Sequence, residues 1–567
     1  MKIHKRNVGE EQPGDRFECC GCVKVLERAL VEPLSDGWYC YECMVSGRTN
    51  TFEDEEEIAN AMDMLSARPV TTRAATSRAT TASPRAQRSR RADDHNERPE
   101  TMSLRRNPIL DTDSYKLSHF MQYPPEMTKL FSYIESRGGK YRETTFFGLQ
   151  AYLKAYLQHP ITDANIEEAE ELASKHGEPF PKEAWMRVWR EHGGFLPVRI
   201  RAVPEGTVVP TGNVLVTVES TDPEIPWLGS WLETALLRAV WYPTTVATLS
   251  RECKKVILEY LIKTSDDPRG ELPFKLHDFG ARGVSSRESA GLGGMAHLVN
   301  FQGSDTIEGI RYANHYYGAE MAGFSIPAAE HSTMTIRGRA GELAQMRNMV
   351  EKFGKPGATF ACVSDSYDIF NAVENYWGDE LHDLVKASGS TVVIRPDSGD
   401  PSEVNLRILQ ILERKVGVRT NMKGFKVLPS YYRLIQGDGN DDEQSIRKVL
   451  HTLTSHGYSA SNIAFGMGGG LLQQVNRDTL RFAMKCSWAE IDGLGTDVYK
   501  DPVGDAGKKS KRGRLDLVFN GREYATLPEG NGGPSALQTV YEDGRLFNQT
   551  TFAEVRARAE RGLFDGA

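Results

Sequence analysis

Five short apolar runs, rich in β-branched or aromatic residues, constrain this chain more than any other feature in it. They are Phe274 to Leu276, Phe360 to Val363, Thr391 to Ile394, Leu434-Ile435 and Ile463 to Phe465. Runs this short, bounded by turn residues, read as parallel strands buried on both faces. Chemistry follows where they stop: His277-Asp278-Phe279-Gly280, Arg395-Pro396-Asp397-Ser398-Gly399, Gln436-Gly437-Asp438-Gly439 and Gly466-Met467-Gly468-Gly469-Gly470. Strand ends form the reaction face of an α/β barrel, so the pattern predicts a catalytic barrel.

The barrel does not use up the chain. At 567 residues two or three domains are expected. The 39% hydrophobic and 26% charged residues are ordinary for a globular protein, and a net charge of -8 argues against bulk nucleic-acid binding. With no signal-peptide pattern and no apolar run of membrane length, a cytoplasmic protein without a membrane segment is expected.

Of the eight cysteines, Cys253, Cys362 and Cys486 lie in apolar surroundings and read as reduced core residues. The other five crowd the N-terminus. Cys19 and Cys22, then Cys40 and Cys43, make two CxxC turns that suit one tetrahedral Zn2+, with Cys20 an alternative to Cys19. We therefore expect a zinc-ribbon-like module over residues 1–62, of a kind that grips an unidentified partner or a nucleic acid. Residues 63–104 are rich in Ala, Thr, Ser, Pro and Arg and too poor in apolar side chains to offset chain entropy, so a disordered linker is expected.

Several residues speak without reference to any family. The glycines at Gly468 and Gly469 follow a strand run, so their amides can cradle a phosphate or simply make a tight turn; Arg477 and Lys485 supply nearby cations. Asp397 and Asp438 sit beside glycines, where a carboxylate can accept from ribose hydroxyls or nucleate a turn. Phe279 and Tyr115 offer flat faces for an aromatic ring, or are core.

From Asn107 to about Leu517 the chain resembles the nicotinamide phosphoribosyltransferase family of type II phosphoribosyltransferases. The resemblance rests on His277 to Ser286, His297 to Phe301, Ser325 to Thr333, Val363 to Asn371, Arg395 to Gly399, Gln436 to Gly439 and Gly466 to Gln473. It implies an irregular α/β barrel over 236–489 and an α/β sandwich domain over 105–235 and 490–567. It implies a homodimer with shared sites, to which Asp113, Tyr115 and Arg137 come from the neighbouring subunit. Phe279 and Tyr115 would sandwich a pyridine ring with Arg395 at its edge, and Asp305 would accept from a carboxamide. His331, next to Glu330, would be phosphorylated by ATP, with Glu330 fixing the imidazole tautomer. Arg282, Arg395 and Lys485 would meet the diphosphate. Ser325, Ser364, Arg433, Gly437, Gly468, Gly469 and Arg477 would complete the substrate site, with Asp397 and Asp438 on the ribose. Ala281 and Ala483 depart from the family pattern.

The reaction so implied joins nicotinamide to 5-phosphoribosyl diphosphate, with Mg2+ and ATP, giving nicotinamide mononucleotide and diphosphate in NAD salvage. Nicotinate as the base is the alternative within this class. An inactive barrel carrying a working zinc module is the alternative outside it.

Overall fold

The computed structural model describes residues 106–502 and 509–564, together with the backbone of five short strands between Ile3 and Cys40. Those five strands pair antiparallel into one small sheet within residues 1–100, a unit separate from 101–567. The side chains of Cys19, Cys22, Cys40 and Cys43, and the whole of 63–104, lie outside the described residues.

The larger unit holds two principal sheets. One has six parallel strands: β1 (Leu276–Asp278), β2 (Gly303–Ser304), β3 (Thr359–Val363), β4 (Thr391–Arg395), β5 (Tyr432–Gln436) and β6 (Ile463–Met467), in the order β2-β1-β6-β5-β4-β3. The two edges are joined by the segment 324–328. Phe324 bridges Gly303 of β2, and Ala328 bridges Ala361 of β3, both parallel. The ring therefore closes through a stretch that no strand-like run announces, because Pro327 and Ser325 interrupt it.

Alternation explains why this ring has room inside. Phe360, Cys362, Val392, Ile394, Leu434 and Phe465 are fully buried and face the helical shell. The opposite face carries smaller side chains, where Ala361, Val393 and Ile435 pack with Phe279, Ile326 and Ala464. Two expected strand residues fall elsewhere: Phe274 sits in the 3-10 turn Leu272–Phe274 with an exposed ring and Lys275 caps that turn, since Pro273 has no amide to give a ladder.

The second sheet is antiparallel and built from distant parts of the chain. Its order is Leu494–Asp497, Phe482–Ile491, Met127–Ser136, Val214–Ser220, Val198–Ala202, Gln538–Glu542 and Arg545–Leu546. The chain returns to it at Phe482, ahead of the expected residue 490, because Phe482 to Lys485 pair with Ser136 to Tyr133. A 32-residue helix, Glu233–Thr264, runs between the sheets, and its Thr244 and Thr248 hydroxyls accept from the amides of Phe147 and Thr145. The C-terminal helix Phe552–Ala559 is fastened by Arg556, which donates to the carbonyls of Leu298, Phe301 and Ala322. Among the described residues no helix is long and apolar enough to cross a membrane.

Candidate active site

All six parallel strands deliver their carboxyl ends to one mouth. Arg395 is the last residue of β4, and its Nε and Nη2 both donate to Asp397 Oδ1, at 3.1 and 2.7 Å. The same guanidinium lies over the Phe279 ring, 5.3 Å from its centroid, a cation–π arrangement that fixes the ring's place at the mouth. Two glycines make this packing possible. A Cβ on Gly466 would stand 2.0 Å from Phe279 Cε2, and one on Gly437 would stand 2.3 Å from Arg395 Nε.

Asp305 follows β2, and its amide donates to the Asp278 carbonyl at 2.9 Å, which anchors the loop beside Phe279. Ser325, on the ring-closing segment, donates to Asp305 Oδ1 at 2.5 Å. The other carboxylate oxygen is thus open to a further donor.

His331 begins the helix His331–Thr335 with its imidazole half exposed. Its Nε2 is 3.6 Å from Asp397 Oδ2 and 3.8 Å from Asp365 Oδ1, ion-pair rather than hydrogen-bond distances, and its Nδ1 is 3.3 Å from Ser366 Oγ. Glu330 does not orient this ring. As the residue that caps the helix it turns back onto Ser332, whose hydroxyl donates to Glu330 Oε1. The carboxylates around the imidazole come instead from the ends of β3 and β4. Asp365 is tied down in turn, because its Oδ2 accepts from Asp397 N at 3.1 Å and from Ser398 Oγ at 2.6 Å. Its Oδ1 is buried without a partner. Reasoning from sequence passed over Asp365 and Ser366; the signal available was the Ser364-Asp365-Ser366 triplet directly after a strand.

Two expected binding residues do not face the mouth. Ser364 is fully buried, donating to Cys362 O and accepting from Trp377 Nε1, so its hydroxyl is spent on packing. Arg433 stands near the amino end of β5, where its Nη1 donates to the carbonyls of Leu428, Pro429 and Tyr432. Burial lowers its pKa from the ordinary value. Asp438 and Arg282 are exposed in the turns after β5 and β1. Gly468 precedes a helix of only four residues, Gly469–Leu472, and Arg477 lies in a separate 3-10 turn, Arg477–Thr479.

A second cluster forms on the antiparallel sheet. Lys485 lies opposite Tyr133, and its Nζ donates only to its own neighbour's carbonyl, Met484 O, at 2.8 Å. Burial first, then Arg137, Lys116 and Arg477, lower its pKa. Arg137 donates from Nε to Glu135 at 3.0 Å while its Nη2 is buried without a partner. Lys116 is held by Glu233 at 2.7 Å beside Tyr115, whose ring is 56% exposed. Asp113 accepts from Thr234 Oγ1 at 2.7 Å. The described contacts therefore divide the expected site residues into two sets. Phe279, Asp305, Ser325, His331, Arg395, Asp397 and Gly437 gather at the mouth; Arg137 and Arg477 gather around Lys485 beside the antiparallel sheet, with Tyr115 next to Lys116.

Comparison with known proteins bears on the family and the fold. A model of the nicotinate phosphoribosyltransferase (NAPRTase) family matches residues 274–545, and one of the nicotinamide phosphoribosyltransferase N-terminal domain matches residues 107–200. A nicotinamide phosphoribosyltransferase of Xanthomonas campestris pv. campestris (strain 8004) is 52% identical over 465 residues, covering 80% of this chain and 98% of that protein. One from Mycoplasma pneumoniae is 31% identical over 445 residues, covering 72% and 95%. In fold the chain is similar to a nicotinate-nucleotide pyrophosphorylase from Pyrococcus furiosus, with a TM-score of 0.52 at 13% identity, over 81% of this chain and 97% of that one.

Proposed function

The chain belongs to the nicotinamide phosphoribosyltransferase family, and on that premise we propose that it joins nicotinamide to 5-phosphoribosyl diphosphate. The ring nitrogen of the base bonds to C1 of the ribosyl group. The C1–O bond to diphosphate breaks, its electron pair leaves with the diphosphate, and the product ring is a pyridinium. Asp305 carries the choice of base: with Ser325 donating to Oδ1, its other oxygen accepts from a carboxamide N–H, whereas the carboxylate of nicotinate would meet like charge there. Phe279, backed by Arg395, supplies the ring's face. Asp397 and Asp438 accept from the ribose hydroxyls.

The cations on the antiparallel sheet suit the leaving diphosphate. Arg137 has a buried unpartnered Nη2, and Lys485 spends its charge on one carbonyl, so both gain from an anion. In a homodimer, Tyr115, Arg137, Arg477 and Lys485 of one chain meet the mouth of the other. A mixed dimer tests this. Tyr115→Ala and Asp397→Ala chains, each inactive alone, regain part of the activity on subunit exchange, since one site then has both intact residues; exchange without recovery argues for sites within a single chain.

Mg2+ fits the mouth, because the orphaned Asp365 Oδ1 and the adjacent Asp397 offer hard oxygen donors. When bound it neutralises diphosphate charge. His331 is the acceptor of the terminal phosphoryl group of ATP: the carboxylates of Asp365 and Asp397 favour the proton on Nε2, Nδ1 attacks phosphorus, and ADP leaves. In the N-terminal unit, Cys19, Cys22, Cys40 and Cys43 hold one Zn2+ as thiolates.

The deciding assay is turnover with nicotinamide and with nicotinate, each with and without ATP. Nicotinamide is the preferred base, ATP stimulates, and His331→Ala loses the stimulation while keeping its fold. Preference for nicotinate overturns the role of Asp305, and full stimulation in His331→Ala overturns that of the histidine. The same preparation should contain one zinc per chain, lost when residues 1–100 are removed.

A further inference from the structure

Asp278 is wholly buried, yet nothing in the reaction above uses it. It is the last residue of β1, paired with Ser304 of β2 on one side and Met467 of β6 on the other. Its Oδ1 accepts from the Gly280 amide at 2.7 Å, closing the turn that carries Phe279. Its backbone carbonyl accepts from the Asp305 amide at 2.9 Å. One residue thus grips both walls of the slot for the base. Oδ2 makes no hydrogen bond of ordinary geometry, and the buried Thr306 hydroxyl of the next loop, likewise without one, lies close enough to Asp278 to favour its charged form.

We propose that Asp278 is the positioning residue of the base slot, setting the Phe279 face and the Asp305 carboxylate at fixed separation through its two hydrogen bonds. The inference rests on the reading that the slot takes nicotinamide. An ionised carboxylate accepts from Gly280 N–H more strongly than a neutral acid does. Burial pushes the Asp278 carboxyl up to about 6 from an ordinary 3.8, with Gly280 N–H and the Thr306 hydroxyl pulling the other way. The titratable groups facing it are Asp305, which adds to the rise, and Tyr242 on the long helix. Tyr242 is occupied elsewhere, since its hydroxyl donates to Leu472 O and Ser289 O. A carboxyl raised in this way stabilises the fold fully below pH 3.8 and loses that contribution as pH rises through about 6. At neutral pH the charge is kept at a cost to stability, which fits a residue retained for the slot.

The experiment compares the full-length wild type with Asp278→Asn and Thr306→Val. Wild-type turnover of nicotinamide checks the underlying reading first, independently of either variant. Given that turnover, kcat/KM for nicotinamide should fall as pH drops through about 6. In Asp278→Asn that limb should vanish, KM for nicotinamide should rise roughly tenfold, KM for 5-phosphoribosyl diphosphate should stay, and Tm at pH 8 should be equal or higher. In Thr306→Val the limb should move to higher pH, because the hydroxyl that favours the charged form is gone; this variant decides the matter alone if the first does not fold. A limb that persists in Asp278→Asn, or KM values that move together or not at all, overturns the proposal.

Discussion

Arg395→Ala is expected to lower kcat/KM by about 10²–10³-fold, the size seen when one preorganised donor is removed from a reacting centre. The guanidinium does two things at once: it holds Asp397 through Nε and Nη2, and it covers the Phe279 ring at 5.3 Å. Without it, Asp397 is an uncompensated carboxylate facing His331, and Phe279 loses the cation that holds it over Gly466. The fold should persist. Arg395 ends its strand with a quarter of its side chain exposed, and its ladder partner Val363 pairs through backbone alone. Arg395→Lys should not restore activity, since a single ammonium cannot reproduce a planar fork stacked on a ring. Steady-state kinetics in both substrates, with a melting curve for each variant, check this. An active Arg395→Lys enzyme would mean that only charge is needed at this position.

The second large effect comes from a single methyl group. Gly466→Ala places a Cβ 2.0 Å from Phe279 Cε2, inside any tolerable contact, so the ring must leave its place. Gly466 is a β6 residue within the parallel ladder, so its backbone accepts alanine and the clash is the whole of the effect. KM for nicotinamide should rise about 10²-fold, as for a misplacement of roughly 1 Å at a reacting centre. The discriminating measurement is the double variant. With Phe279→Ala in place the three atoms nearest that methyl are gone, so Gly466→Ala should add little further loss, a non-additivity expected of residues in contact. Additive losses would show that Gly466 acts through something other than the ring.

Sequence carried the barrel well because its strands are buried on both faces, and burial writes itself as short β-branched runs such as Thr391 to Ile394. It failed where an element is held by context. The segment 324–328 closes the ring with two bridges and has no periodic pattern to read. Site residues followed the same rule. Asp397 and Gly437 were legible because turn residues after a strand point into the mouth. Glu330 was misread because neighbours in sequence are not neighbours around a ring: the helix start turns it onto Ser332, and the carboxylates facing His331 come from strands further along the chain. Arg433 shares its strand with the mouth but stands at the wrong end of it, a difference that spacing alone does not reveal.

The antiparallel sheet also fixes an order of events during synthesis. Met127–Ser136 has Val214–Ser220 on one flank, but its other flank stays bare until Phe482–Ile491 has been made, more than 300 residues later. The carbonyls of Leu298, Phe301 and Ala322 likewise wait for Arg556, more than 230 residues further along the chain. A growing chain of this protein therefore carries an open strand edge from Ser136 until Phe482 is made, the kind of surface that pairs with a neighbouring copy or calls for a chaperone. Translation slowed between Ser136 and Phe482 prolongs that exposure, whereas the same delay before Met127 costs nothing.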